Sequence, residues 1–479
     1  MGEIRLHNTL SGKKEPLQPV HPGEIRMYSC GPTVYDYAHI GNFRTFTFQD
    51  VLRRFLIYRG YKLNHVMNLT DVDDRIIQNS AAAKIGLREY TDKYAQAFLE
   101  DMETLNLQKP EKIVRATDHI ADMVTLIQAL KKKSFTYDSE GSIYYRISKF
   151  PTYGRLSKVD MGGIQAGARV DVDRYEKADA RDFALWKGPK VGEFFWETPI
   201  GAGRPGWHIE CSAMSMKYLG DTLDIHTGGI DLAFPHHENE IAQSEAATGK
   251  PFVKLWLHAE HLIVDGEKMS KSLGNFYTLR DLLRKGYKPS AIRFLLLSVP
   301  YRRQLNFTME GLQQATSSVA RLRTFISRLQ DEKFPAVDTV EMDRMLAQVE
   351  ENFEAGLEDD LNTAQALAAV FDLVRYANTA MDRGKFSQAS VEPTVALLFK
   401  FDQILALLED TDDQKLQALG FTNGAAKLSD VEVAKLVEAR QIARTARNFQ
   451  ESDRIRQRLA DNGIILEDTR DGSVRWKRK

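Results

Sequence analysis

The sequence predicts an α/β protein: a parallel-sheet domain with an insertion, then a helical bundle, then a small mixed α/β C-terminal domain. Three observations predict this. Extended apolar runs alternate with helical stretches over the first 80 residues and again between Thr222 and Asp265. After about residue 280 the pattern turns helical. The last 50 residues read as two helices and a hairpin. Alternating strand, loop and helix favours a parallel sheet with its site at the strand ends.

The first strand runs through Glu24-Ile25-Arg26-Met27-Tyr28-Ser29 and enters a turn, Cys30-Gly31-Pro32-Thr33. A helix follows, with Phe48, Val51, Leu52, Phe55 and Leu56 on one stripe. Tyr61 to Leu69 is extended and ends in a polar turn, Thr70 to Asp74. Residues 79 to 133 read as helical and close on Lys131-Lys132-Lys133, a solvated helix end or a nucleic-acid contact. Phe135 to Tyr145 reads as a hairpin around Glu140-Gly141. Residues 150 to 205 are rich in Gly and Asp. This predicts an insertion over 110–205 between two halves of one domain, 1–109 and 206–280.

Thr222 to His226 and His261 to Asp265 read as strands. Residues 316–410 read as a bundle in which Asn362 caps a helix, with Gln365 at the capping-box position and Leu367, Val370, Phe371 and Val374 as its stripe. Glu409 to Asp413 opens a polar linker. In the tail, 429–479, one helix passes through Val437 and Arg444 and a second runs from about Glu451 to Ala460, stopped at Asn462-Gly463. Ile464–Glu467 and Ser473–Lys477 form a hairpin around Asp471-Gly472.

Composition excludes several classes. The chain has 479 residues, 43% apolar and 27% charged, as ordinary globular proteins do. The net charge of −1 predicts no nucleic-acid partner from overall charge, so any basic surface is local. From Glu438 to Lys479 there are 11 Lys/Arg against 7 Asp/Glu, and Phe449 and Trp476 add rings suited to unpaired bases. A basic, solvated cap is the plainer reading. The N-terminus lacks the apolar core of a signal peptide, and Leu6 stands where a myristoylation signal needs Ser or Thr. No apolar run approaches 18 residues, so no membrane span is expected. Two cysteines without an export signal point to a reducing cytosol, hence a cytoplasmic location.

The chemistry concentrates between Trp207 and Ser272. On a helix starting after Pro235, His236 lies over Glu240, while His237 lies over Ile241, which cannot ligate. A surface His/Glu hydrogen bond is the plainer reading of that pair alone. Cys30 and Cys211, the only cysteines, complete a plausible tetrahedral zinc set with them. His208 is a rival ligand, and two unrelated buried thiols are the alternative. At the start of the first helix, His39, Gly41 and Asn42 could meet phosphate on free N–H groups, or simply cap the helix. Lys268 and Lys271 flank Met269-Ser270 on a loop suited to phosphate.

Taken together, His39-Ile40-Gly41-Asn42 and Lys268-Met269-Ser270-Lys271-Ser272 resemble the paired nucleotide signature of class I aminoacyl-tRNA synthetases. Asn42 stands where that class most often has histidine; an amide still donates to phosphate. Cys30-Gly31-Pro32-Thr33-Val34-Tyr35-Asp36, Trp207 to Cys211 and Phe234 to Glu240 resemble the cysteinyl-tRNA synthetase family, and the likeness runs to the tail, Leu466 to Trp476.

The resemblance implies a Rossmann-like catalytic domain, a stem-contact region over 281–315 and an anticodon-binding tail. It implies zinc on Cys30, Cys211, His236 and Glu240, one per subunit, which demotes His208. It implies ATP, with Mg²⁺, at His39, Gly41, Asn42 and Lys271, and catalytic roles for His39, Asn42, Lys268 and Lys271. Thr70, Trp207, His226 and Asp231 would line an L-cysteine pocket, and Arg444, Asp468 and Trp476 would face the anticodon of tRNA(Cys). A monomer is expected. A zinc site would discriminate cysteine from serine, because thiolate is much the better ligand. Four protein ligands normally close such a site, so substrate contact needs a fifth position or a loosened Glu240. A ligase joining cysteine to an amino-sugar would share the catalytic motifs but not the tail. A tRNA-binding protein without catalysis would not need both lysines.

Overall fold

The computed structural model describes residues 2–158, 181–190, 192–421, 430–445, 448–461, 463–468 and 474–478. It divides into two compact units, Met1–Lys415 and Leu416–Lys479. The larger is built on a five-stranded parallel sheet in the order Val253–Ala259, Leu223–Gly229, Glu24–Ser29, Lys62–Leu69, Lys112–Arg115. From Glu24–Ser29 the chain crosses through the helix Ile40–Tyr58 to Lys62–Leu69. From Leu223–Gly229 it crosses the other way, through His236–Thr248 to Val253–Ala259. The order therefore reverses between the two central strands, and a ligand crevice is expected beyond their C-terminal ends. Cys30 stands at one of these ends and Gly229 at the other.

The strands are apolar on both faces because helices cover both. Ile25, Met27, Tyr28, Val66, Leu223 and Ile225 are all buried, and the helix Ile40–Tyr58 buries Phe43, Val51, Leu52, Phe55 and Leu56. The sheet's fifth strand, Lys112–Arg115, lies inside the stretch expected to be helical, 79–133, and past residue 110, where the sequence places the start of the insertion. Four residues flanked by two long helices give too short a run to read as a strand. The hairpin Thr136–Ser139/Ser142–Tyr145 forms as expected; Glu140 (φ 46°) and Gly141 (φ 76°) both take the left-handed turn conformation. It continues into an antiparallel sheet with Phe183–Lys187 and Arg204–Pro205, which leads directly into the helix Trp207–Leu219. Much of the Gly/Asp-rich stretch, 159–180, lies outside the described residues.

Lys268, expected on a loop, ends a strand of the three-stranded sheet Leu262–Val264, Glu267–Lys268 and Leu305–Phe307, and Lys271 lies on the loop that follows. Helices then dominate: Met309–Asp331, Val340–Glu358, Thr363–Asp382 and Val391–Leu405. Asn362 caps the third, its side chain accepting from the Gln365 N–H at 3.2 Å. Glu409–Asp413, expected to open a polar linker, leads into the helix Asp412–Ala418, within which the two compact units divide. Asp412 is buried, accepts from the Ser290 hydroxyl at 2.6 Å and pairs with Arg323 at 2.7 Å, starting the helix Asp412–Ala418. A polar sequence there marks a satisfied buried carboxylate.

In the smaller unit, Asp430–Thr445 and Phe449–Asp461 pack with a hairpin, Ile464–Asp468 and Val474–Arg478, around Val433, Ile455, Leu459 and Ile464. The expected Asp471-Gly472 turn and Asn462 lie outside the described residues. Among the described residues no helix is long and apolar enough to cross a membrane.

Candidate functional site

Four segments deliver metal-ligating side chains to one buried point beyond the sheet's switch. Cys30 follows the strand Glu24–Ser29; Cys211 sits in the first turns of Trp207–Leu219; His236, His237 and Glu240 lie on His236–Thr248; His226 stands within Leu223–Gly229. The sulfurs of Cys30 and Cys211 are 3.8 Å apart, and both thiols are free. His236 Nε2 lies 3.1 Å from Glu240 Oε1, the helical i,i+4 pair read from the sequence. Glu240 Oε1 lies 3.9 Å from Cys30 Sγ. Two overlapping sets of four could hold a metal ion: Cys30, Cys211, His236 and Glu240, or Cys30, His226, His237 and Glu240.

His237, set aside because Ile241 lies four residues on, belongs to this cluster. Its Nε2 is 3.4 Å from Cys30 Sγ and 3.9 Å from Glu240 Oε1. The missed signal was the i,i+3 relation to Glu240, which also shares a helix face. His237 Nδ1 meets His258 Nε2 at 2.7 Å, and His258 Nδ1 meets Thr9 Oγ1 at 2.7 Å. The rival ligand His208 lies behind His236, Nδ1 to Nδ1 at 2.9 Å, with its own carbonyl accepting from Gln243 at 2.9 Å. His226, expected in the amino-acid pocket, donates from Nε2 to Glu240 Oε2 at 3.0 Å and stacks on Trp256 at 4.5 Å.

Charge is distributed unevenly. Burial pushes the Cys30 thiol well up, with Cys211 and Glu240 adding to it. Burial would raise Cys211 too, but Cys30 and the imidazole of His236 outweigh it and favour its thiolate. Burial also works against His236⁺, yet Cys211 and Glu240 pull its pKa up. Burial would raise Glu240; His226 and His236 hold it instead at about 2. Cys211 and Glu240 thus favour a proton on His236 that a metal ion would displace, taking the ring as a neutral ligand.

The nucleotide motifs form a second group. His39 is the N-cap of Ile40–Tyr58 in a reciprocal capping box. Its Nδ1 accepts from Asn42 N at 3.2 Å, and Asn42 Oδ1 accepts from His39 N at 3.1 Å. Burial lowers the His39 pKa to about 4, against a raising effect from Asp231. With Nδ1 accepting, the neutral ring carries its proton on Nε2. Ile40 N donates to Tyr277 O at 3.0 Å, so the helix start is tied to the segment after the lysine loop. A Cβ on Gly41 would sit 3.0 Å from the His39 ring and 3.4 Å from Met269 Cε, so a larger residue there would require these side chains to shift. Lys271 Nζ reaches Asp36 Oδ2 at 3.0 Å, and Lys268 is exposed.

Trp207 lies over His236, ring centroids 4.4 Å apart. Thr70 follows the strand Lys62–Leu69, and the Asn68 amide donates to its hydroxyl at 3.1 Å. Asp231 sits in the short turn Ile230–Ala233. In the smaller unit, Arg444 lies on the first helix, Asp468 ends the first strand, and Trp476 stands opposite Leu466 and packs on the small core.

Comparison with known proteins defines the class first. A family model described as the class I (C) tRNA synthetase catalytic domain matches residues 16–317, and a DALR domain model matches 352–409. The fold is that of a Mycobacterium tuberculosis methionyl-tRNA synthetase in complex with methionyl-adenylate, with TM-score 0.61 at 16% identity over 83% of this chain and 94% of that one. Closer in sequence, cysteine–tRNA ligases from Solibacter usitatus and Leptospira interrogans are 56% and 46% identical, covering 99% and 100% of this chain and 100% of each relative. The chain belongs to the cysteine–tRNA ligase family. The amino-sugar ligase and the non-catalytic tRNA binder find no support here.

Proposed function

We propose that this chain activates L-cysteine with ATP and transfers the cysteinyl group to the 3′ end of tRNA(Cys), acting in the cytoplasm as a monomer. The carrying observation is the buried cysteine–histidine–glutamate cluster at the switch of a class I sheet, flanked by both nucleotide motifs. In the first step a cysteine carboxylate oxygen attacks the α-phosphorus of ATP, and pyrophosphate leaves. In the second the terminal ribose hydroxyl of tRNA attacks the adenylate carbonyl, and AMP leaves.

Zinc fits the cluster. Bonds of about 2.3 Å to sulfur set two tetrahedral thiolates about 3.8 Å apart, and the Cys30–Cys211 separation is 3.8 Å. Two sulfurs, one imidazole and one carboxylate form a zinc donor set. Cys30, Cys211, His236 and Glu240 would hold the ion, which supplies a position that prefers a thiolate to a hydroxyl. His208 would orient His236, and His226 would hold the second Glu240 oxygen. Trp207 would close the pocket over His236, with Thr70 and Asp231 completing it.

Phosphate handling falls to His39, Asn42, Lys268 and Lys271, with Mg²⁺ accompanying ATP. Neutral His39 offers Nε2–H to a phosphate oxygen, and Lys271 would exchange Asp36 for phosphate as charge develops. The reaction needs no protein nucleophile; positioning and charge stabilisation carry it. Residues 1–109 and 206–280 form the catalytic domain of this reading, 110–205 its insertion, 281–315 the stem-contact region, 316–410 the bundle and 429–479 the anticodon reader through Arg444, Asp468 and Trp476. Purified protein with ATP, Mg²⁺, tRNA and labelled cysteine should give acid-precipitable label, and labelled serine should not. Equal charging with serine would defeat the zinc account, and no charging with either would defeat the reading.

A further inference from the structure

The turn after Cys30 leaves two half-buried tyrosines, Tyr35 and Tyr37, on the rim just before His39. The helices Asp74–Ala83 and Leu87–Thr104 bring Arg75, Tyr90, Lys93 and Tyr94 against them. The Arg75 guanidinium lies 5.5 Å over the Tyr35 ring, and Tyr90 donates its hydroxyl to Tyr35 O at 2.8 Å. Tyr37 meets Tyr94 edge-on at 5.4 Å, Tyr90 and Tyr94 are 5.3 Å apart, and Lys93 Nζ lies 5.1 Å over Tyr94. Arg75 and Lys93 are exposed, and neither forms an ion pair among the described residues. Nearby acids are engaged: Asp92 with Arg115 at 2.7 Å, Asp36 with Lys271 at 3.0 Å, and Asp73, which feels the Arg75 charge, with the Ile76 N–H at 2.6 Å.

Four tyrosines in one strip, topped by two exposed cations that form no ion pair among the described residues, match an unpaired polynucleotide. Bases stack on tyrosine rings or on an arginine plane, and phosphates meet the cations. A protein partner of matching charge would need an acidic face but would not need a row of stacking rings. The strip also has a direction. It begins at Tyr35 and Tyr37, on either side of the aspartate that holds Lys271, and runs outward along Leu87–Thr104. We propose that this strip seats the single-stranded 3′ end of tRNA behind its terminal adenosine. The proposal rests on the tRNA-charging reading and gives that reading its second-substrate entry. The terminal ribose hydroxyl must reach the nucleotide site for transfer, so the unpaired nucleotides behind it have to cross this rim.

The test compares wild type with Arg75→Ala/Lys93→Ala and, separately, with Tyr94→Leu. Each is assayed for cysteine-dependent ATP–pyrophosphate exchange, for tRNA charging, and for Kd with intact tRNA and with tRNA lacking its last four nucleotides. Exchange should stay within about 2-fold. The kcat/KM for tRNA should fall at least about 10-fold, as loss of one stacked base and its phosphate contact implies. Truncating the tRNA should weaken wild-type binding and leave the variants nearly indifferent. Equal losses on intact and truncated tRNA, or equal losses of exchange and charging, would overturn the proposal. Absence of both exchange and charging in wild type would instead overturn the charging reading itself.

Discussion

The sulfurs of Cys30 and Cys211 stand 3.8 Å apart, unbonded, although 181 positions separate them in the chain. That distance is too long for a disulfide, at about 2.05 Å, and suits two thiolates sharing one ion. Replacing either by serine should lower zinc affinity at least about 100-fold, since a hydroxyl is a poor substitute for thiolate. Metal content after dialysis against a chelator checks this directly. Charging with cysteine should fall with the metal. A Cys30→Ser protein that keeps its zinc and its preference for cysteine over serine would remove Cys30 from the ligand set.

Lys271 is held by Asp36, a partner that ATP phosphate would have to displace. The pair is solvent-exposed, so it is worth about 0.2–1 kcal/mol. Asp36→Asn should therefore lower the KM for ATP in pyrophosphate exchange by up to about 5-fold, with little change in the KM for cysteine. Lys271→Ala should do the opposite on a larger scale, losing about 100-fold in kcat/KM with the phosphate charge uncompensated. A higher KM for ATP in Asp36→Asn would mean that Asp36 helps bind the nucleotide complex.

Local signals made part of this site legible in the sequence. His236 and Glu240 are readable as a pair because four helical residues bring them together, and His39 and Asn42 because a helix start needs caps. The convergence of Cys30 and Cys211 depends on the sheet order, which local periodicity does not carry; the ligand chemistry of the chain's two cysteines suggested it and the motif resemblance reinforced it. His258 and Thr9 were invisible for the same reason. They reach His237 only because Val253–Ala259 lies beside Leu223–Gly229 and the N-terminal segment folds back on it, where Thr9 N donates to Trp256 O at 2.9 Å. The strand Lys112–Arg115 was lost between helices because four residues show no clear period.

Arg293 joins three parts of the larger unit at one buried guanidinium. It reaches Asp50 on Ile40–Tyr58 at 2.6 Å, Leu105 O at 3.0 Å and Leu405 O at 2.7 Å. Removing it strands two helix-end carbonyls and leaves Asp50 with Arg54 as its remaining ion-pair partner. Arg293→Met should cost about 3–5 kcal/mol, the range for breaking a buried pair from one side. Denaturant unfolding of the metal-loaded protein measures it. A loss below about 1 kcal/mol would mean that water or Arg54 replaces the lost bonds.

His65 should make stability fall in mild acid. It is buried in the strand Lys62–Leu69, with Nε2 against Ser29 Oγ at 2.8 Å. Burial, aided by Arg53, lowers its pKa from 6.5 to about 3, so the folded protein keeps the ring neutral. The unfolded chain binds a proton below pH 6.5 while the folded chain does not until about pH 3. The stabilisation is therefore complete above pH 6.5 and is lost as pH falls. At pH 5 the loss relative to pH 7 amounts to about 2 kcal/mol, from 1.5 units at 1.36 kcal/mol each. His65→Asn removes the titration, so the gap in unfolding free energy between wild type and variant should shift by that amount between pH 7 and 5. A constant gap would mean that water or a carboxylate stabilises the protonated ring within the fold.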